Sequence, residues 1–175
     1  MGWFDVTLVL LKEGQIPKPF LLNLHKKFEG INFNLIIEDD EFIIFNDTQD
    51  GKENEIFYLN NLMYLEQVLN HLCNWKSLGL LSYRHSNFRF PVTIDFRTWN
   101  DNLLHGFTIG FNGKEAVLNE KTKEQLILDI INLVDFKYVV GDIANTSNTY
   151  INLEQSLPDI IAYIEKCKFD LDIRK

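Results

Sequence analysis

The stretch Phe88-Arg-Phe-Pro-Val-Thr-Ile-Asp-Phe-Arg97 alternates strictly between apolar and polar residues. Extended chain sends successive side chains to opposite faces. Phe88, Phe90, Val92, Ile94 and Phe96 therefore share one face, and Arg89, Thr93, Asp95 and Arg97 share the other. This is a strand over residues 88–96 with one side in a core. The residues after it extend the pattern. Residues 104–111 read as a second strand, Asn112-Gly113 as a hairpin turn, and residues 115–118 as the returning strand. Gly106 and Gly110 fall opposite Phe107, Ile109 and Phe111, which suggests close packing on that face.

On the N-terminal side, residues 3–12 are rich in β-branched and apolar side chains and read as a strand. Pro17 and Pro19 end it. Phe20, Leu21, Leu24 and Phe28 then recur at helical spacing, and the pattern predicts a helix over 19–29 closed by Gly30. Residues 31–38 and 41–46 are two apolar runs around Asp39-Asp40 and read as a hairpin. Residues 47–54 read as a loop and 55–59 as a short strand. Asn61 is the expected cap of a helix over about 62–77, with Leu62, Leu65, Leu69, Leu72 and Trp75 on its stripe and Gly79 closing it.

Towards the C-terminus, Thr122 and Gln125 suggest a capping box for a helix over 121–135 striped by Leu126, Ile127, Ile130, Ile131 and Val134. Residues 136–143 read as a strand. Ser156 with Asp159 caps a last helix over 157–167, and the tail from Asp170 either pairs as an edge strand or frays. Elements in the order βαβββα and then βββαβα do not alternate as a parallel fold requires. The expectation is one α+β domain: mostly antiparallel sheet, with about four helices packed on one side.

Composition bounds the function. The 175 residues carry 46% hydrophobic and 13% aromatic side chains, enough for a packed core. Fourteen Phe and eighteen Ile against three Ala favour strands. A net charge of −8 makes direct nucleic-acid binding unfavourable and suits a basic partner. No signal-peptide pattern and no run long enough to span a membrane are seen, so a cytoplasmic chain with Cys73 and Cys167 reduced is expected.

Catalytic and cofactor motifs are missing. The Gly106–Gly113 region has no Lys-Ser/Thr and does not open a helix, so it is not a phosphate loop. Residues 46–57 fail as a calcium loop, because Phe57 stands where the final Glu belongs. No Cys or His spacing suits zinc, and no cofactor is expected. His25 and His71 read as helix-packing residues, while His85 and His105 fall in turns. Arg84, His85, Arg89, Asp95 and Arg97 form the best candidate cluster for an enzyme, against the plainer reading of cross-strand charge pairing.

The feature left over is the charge pattern of residues 38–55. Glu38, Asp39, Asp40, Glu41, Asp47, Asp50, Glu53 and Glu55 stand against Lys52 alone, a net −7 that leaves the rest of the chain nearly neutral. A solvated turn and loop is the plain reading. A docking surface that attracts a cationic partner is the sharper one. In size, acidic stretch and lack of an active-site motif, the chain resembles the immunity proteins of bacterial toxin–immunity systems, including contact-dependent inhibition. The resemblance is one of whole-chain profile and carries over no individual residue. It implies tight binding of a cognate basic toxin domain, often a nuclease, whose active site the carboxylates would block by mimicking phosphate. The alternative is another interaction or regulatory module, including a homodimer through an exposed strand edge such as the tail.

Overall fold

A computed structural model describes residues 3–46, 56–145 and 149–175. Its strands are β1 (Phe4–Gln15), β2 (Asn34–Leu35), β3 (Phe42–Phe45), β4 (Ile56–Tyr58), β5 (Gly79–Arg84), β6 (Val92–Thr98), β7 (Leu104–Asn112), β8 (Phe136–Val140) and β9 (Asp172–Arg174). The helices are α1 (Pro17–Glu29), α2 (Leu65–Asn74), α3 (Gly113–Leu118), α4 (Glu120–Ile131) and α5 (Leu157–Lys166). Among the described residues, all nine strands join one antiparallel sheet. Its order is β4-β3-β5-β6-β7-β1-β8-β9, with β2 also on β5.

The pleat sorts side chains to two faces. Ile43, Leu81, Tyr83, Ile94, Phe96, Phe107 and Ile109 bury against Leu21, Leu24 and Phe28 of α1, Val68, Leu69 and Leu72 of α2, and Leu126, Ile127 and Ile130 of α4. A smaller cluster forms on the other face. There Leu8 and Leu10 of β1 and Tyr138 and Val140 of β8 meet Ile160 and Ile164 of α5. The helices are thus not all on one side. The reason is visible in β1: Leu8 to Leu11 are all buried, so this strand needs cover on both faces. The expected cap of α5 is present, with Ser156 Oγ accepting from the Asp159 N–H at 3.3 Å. The tail pairs with β8 as β9, an outer edge of the sheet.

Several local expectations are overturned. Asn112-Gly113 is no hairpin turn: Asn112 has φ −55°, and its side chain accepts from the Glu115 N–H at 3.3 Å, capping α3. Asn serves a helix cap as readily as a turn. Gly113 is needed because the Trp3 ring covers it, and a Cβ there would lie 2.2 Å from the ring. Glu115 is buried, and its carboxylate accepts from Arg89 N at 2.5 Å and Phe90 N at 3.0 Å. That clamp holds residues 88–90 in a turn, Pro91 donates no N–H, and the strand begins only at Val92.

Residues 31–38 and 41–46 do not pair with each other. β2 and β3 lie end to end along β5, through Leu35↔Tyr83 and Ile44↔Leu80, and Asp39-Asp40 bulges out between them. The hairpin partner of β3 is β4. The sequence reading missed β5, and with it the strand that gathers this half of the sheet. α2 begins at Leu65 rather than beside Asn61, because Asn60 Oδ1 accepts from the Leu62 N–H in a turn and leaves Leu62 92% exposed. Gly79 opens β5 instead of closing α2. α4 starts at Glu120, one residue after α3, so Thr122 lies inside it.

Candidate functional site

The polar face of β6 looks away from the helices α1, α2 and α4, and α5 covers only the β1–β8 end of that side. Between them the sheet is open. Register carries one row across it through Ile44↔Leu80, Leu80↔Asp95 and Asp95↔Thr108. A second row runs through Ser82↔Thr93, Thr93↔Gly110 and Gly110↔Val6. These rows form the floor of a groove of about 580 Å³, with Phe4 and Phe42 also lining it. Gly110 is tight against its neighbour: a Cβ there would lie 2.5 Å from Thr93 Oγ1.

The wall comes from the segment between β8 and α5. Ile143 N–H donates to Val6 O at 2.9 Å, Ile151 N–H to Ile143 O at 2.9 Å, and Trp99 Nε1 to Leu153 O at 3.1 Å. These bonds hold Tyr150, Leu153 and Glu154 against the groove. Tyr150 is 52% exposed and Phe4 54%. Ile56 and Tyr58 of β4 stand opposite Ile44 and Phe42 on the same face and remain exposed, so the apolar surface continues to the sheet edge.

At the base, Arg97 Nε donates to Asp95 Oδ2 at 2.8 Å. Asp95 Oδ1 is buried without a hydrogen-bond partner among the described residues. Burial pushes the Asp95 carboxyl above its usual range, and the neighbouring Arg97 charge opposes that shift. A half-satisfied carboxyl group in an apolar setting is costly to the fold, and such groups cluster at functional sites.

The acidic stretch borders this groove through Phe42, and its described half is partly committed to local structure. Glu38 meets Arg84 at 3.1 Å, and Asp39 Oδ1 accepts from the Asn61 N–H at 3.1 Å. The Glu41 carboxyl is pushed up, first by burial, against a hydrogen bond from Ser82. Asp40 is exposed. Asp47, Asp50, Glu53 and Glu55 lie outside the described residues.

Of the candidate cluster, only Asp95 and Arg97 line the groove. Arg84 is paired with Glu38, Arg89 sits over the Phe90 ring, and His85 Nδ1 accepts from the Asn87 N–H. His105 holds Asp101 at 2.8 Å, and His71 stacks on Phe57. His25 is buried. Its Nδ1 donates to Leu21 O at 2.6 Å and its Nε2 accepts from the Tyr83 hydroxyl at 2.7 Å. Burial pushes its pKa down to about 4. None of the four histidines lines the groove. Among the described residues no group of three His, Cys, Asp or Glu could hold a metal ion, and no helix is long and apolar enough to cross a membrane. Cys73 and Cys167 are free and half-buried.

Sequence reasoning found Asp95 and Arg97 but missed the apolar partners Leu80, Phe4 and Tyr150. A signal for Leu80 was present: Leu81 and Tyr83 alternate with Leu80 and Ser82, as a strand between two faces requires. No protein-family model matches the chain, and no curated protein or solved structure is significantly similar to it.

Proposed function

We propose that this chain is a non-catalytic binding module that holds a cationic protein partner on the open face of its sheet, in the manner of an immunity protein that neutralises a basic toxin domain. One observation carries the reading: an open apolar groove with the half-satisfied Asp95 carboxylate at its base, bordered by the acidic residues 38–41. Apolar side chains around a buried charge form the kind of centre at which an Arg or Lys anchor contributes most. The surrounding negative charge supports fast encounter with a basic surface. A nuclease-type toxin domain, built to hold phosphate, has that surface chemistry.

The experiment has two steps. Tagged protein captures its partner from the native host, and the partner is identified. Binding is then measured for the wild type and for Leu80→Asp and Asp95→Asn. A basic partner whose affinity falls at least about 100-fold with Leu80→Asp, near 3 kcal/mol, is the expected result. A partner that binds both variants as tightly as wild type sinks the reading. Self-association through an edge strand, seen as a dimer in sedimentation that persists in Leu80→Asp, would replace it.

A further inference from the structure

We infer that the outer edge of β4 is a docking site for an extended, basic protein segment, which joins the sheet as a further antiparallel strand. β4 ends the strand order and pairs only with β3 among the described residues. The Leu59 N–H donates to Glu41 O at 2.8 Å, so Leu59 and Phe57 turn their backbone groups towards β3. Ile56 and Tyr58 alternate with them. Their N–H and C=O groups point outward, where no further strand follows among the described residues. The site lies beside the groove, and it stands or falls without the partner proposed above.

The two edges of the sheet are finished differently. At the far edge, Ile173 pairs with Val139 and the Lys175 N–H donates to Lys137 O at 3.0 Å, so β9 turns the backbone of Asp172 and Arg174 outward. Arg174 meets Asp172 at 2.7 Å and donates to the Ile164 and Cys167 carbonyls, which places charge along that edge. Charged side chains of this kind deter a foreign strand. The outward residues of β4 carry no charge. They are Ile56, 49% exposed, and Tyr58, 65% exposed. The Tyr58 ring meets Phe42 edge-on at 5.9 Å, so an apolar strip runs from the groove to the last strand.

Charge selects the occupant. Glu41 O holds the Leu59 N–H, and Asp39 Oδ1 accepts from the Asn61 N–H at 3.1 Å, so the acidic turn lies beside the C-terminal end of β4. Asp39 and Asp40 are exposed. A second copy of this chain would bring a second acidic turn to the same edge, whereas a basic segment meets complementary charge there. Antiparallel addition, the pairing used throughout the described sheet, fixes the phase of that segment. Its residues opposite Ile56 and Tyr58 exchange backbone bonds with them and share their face, so they are apolar. The residues between are Lys or Arg.

Peptide probes test the site. Capped Lys-Val-Lys-Val-Lys-Val-Lys and its Glu-Val counterpart are titrated calorimetrically into the full chain. Saturable one-to-one binding of the Lys peptide is expected, with the Glu peptide at least about tenfold weaker. N-methylation of the Val amides removes the donors that face Ile56 and Tyr58, and should weaken binding at least about tenfold. N-methylation of the Lys amides alters only the far side of the added strand, and should leave affinity within about twofold. Ile56→Pro removes an outward N–H at a position where an edge strand accommodates proline, and should match the first loss, while Ile56→Val binds as wild type. The methylated peptides decide the matter even where Ile56→Pro perturbs the fold. No saturation at millimolar peptide, equal binding of the Glu peptide, or equal losses from the two methylations would each overturn the site. So would a dimer of the chain alone that Ile56→Pro dissolves, because a second copy would then occupy the edge.

Discussion

The two faces of the sheet are built to different standards. Beneath α1, α2 and α4, strand side chains such as Ile43, Leu81, Ile94, Phe107 and Ile109 are fully buried, and His25 of α1, bonded to Leu21 O and the Tyr83 hydroxyl, has both ring nitrogens satisfied. On the other face, beyond α5, Phe42, Ile44 and Leu80 are only half-covered, and Asp95 keeps an oxygen without a donor among the described residues. One face is spent on stability, while the other keeps apolar area and charge uncommitted. A strand cannot bias one side without supplying the other, so β6 carries both standards in alternate residues.

The contrast is easiest to break by truncation. Ile109→Ala, Leu69→Ala or Ile130→Ala should each cost about 2–5 kcal/mol, because a cavity opens in a close-packed core. Ile44→Ala or Leu80→Ala on the open face should cost about 1 kcal/mol or less, since half-covered side chains lose less burial. Urea unfolding of the five variants measures this, and equal losses on both faces would erase the distinction.

Acid should act next, and through the helical face. His25 titrates near 4 in the folded protein against 6.5 for an ordinary histidine, so the unfolded chain binds the extra proton between those values. Stability is full above pH 6.5 and falls as pH drops towards 4, by on the order of 3 kcal/mol from this group. Denaturation midpoints across that window test it. A His25→Gln variant should lose that slope whatever its own stability.

The open face should respond in the opposite sense to the loss of a charge. Asp95 holds its proton more tightly when folded, so ionisation weakens the fold as pH rises through its raised value. Asp95→Asn should therefore unfold at the same or a higher temperature at neutral pH, with a gain of about 1 kcal/mol at most. A clear loss would make Asp95 structural. The smallest stability effect belongs to the quadruple variant Asp39→Asn, Asp40→Asn, Asp47→Asn and Asp50→Asn, within about 0.5 kcal/mol of wild type. Its association with a captured partner should be slower and less salt-dependent, as stopped-flow rates at low and high salt would report. A variant that associates as fast as wild type at low salt would return residues 38–55 to a solvated turn and loop.

Periodicity made much of this fold legible. The alternation of Val92, Ile94 and Phe96 with Thr93, Asp95 and Arg97 separated core from groove, and the stripes of α1, α4 and α5 located most of the helical cover. Illegible were features decided by contacts distant in sequence. Asn112-Gly113 is a cap because Trp3 covers Gly113 and Glu115 clamps residues 88–90. Residues 31–46 do not form a hairpin because β5 offers its edge to both runs. The groove itself depends on residues from β1, β3, β5, β6, β7 and the 143–154 segment, and no local pattern announces their convergence.

The double burial of β1 also bears on how the chain acquires its shape. Gln15 pairs with Leu104, Phe4 with Asn112 and Leu8 with Val140, so the strand that needs cover on both faces meets its neighbours through pairings 89 to 132 residues apart. Neighbours this distant make for slow folding, because a long loop must close before either pairing is rewarded. The β5–β6–β7 meander can zip up from short-range contacts while Leu8 to Leu11 wait unpaired. During synthesis that apolar run would be exposed for most of the time the chain takes to emerge, a natural place for a chaperone to bind and for aggregation to begin.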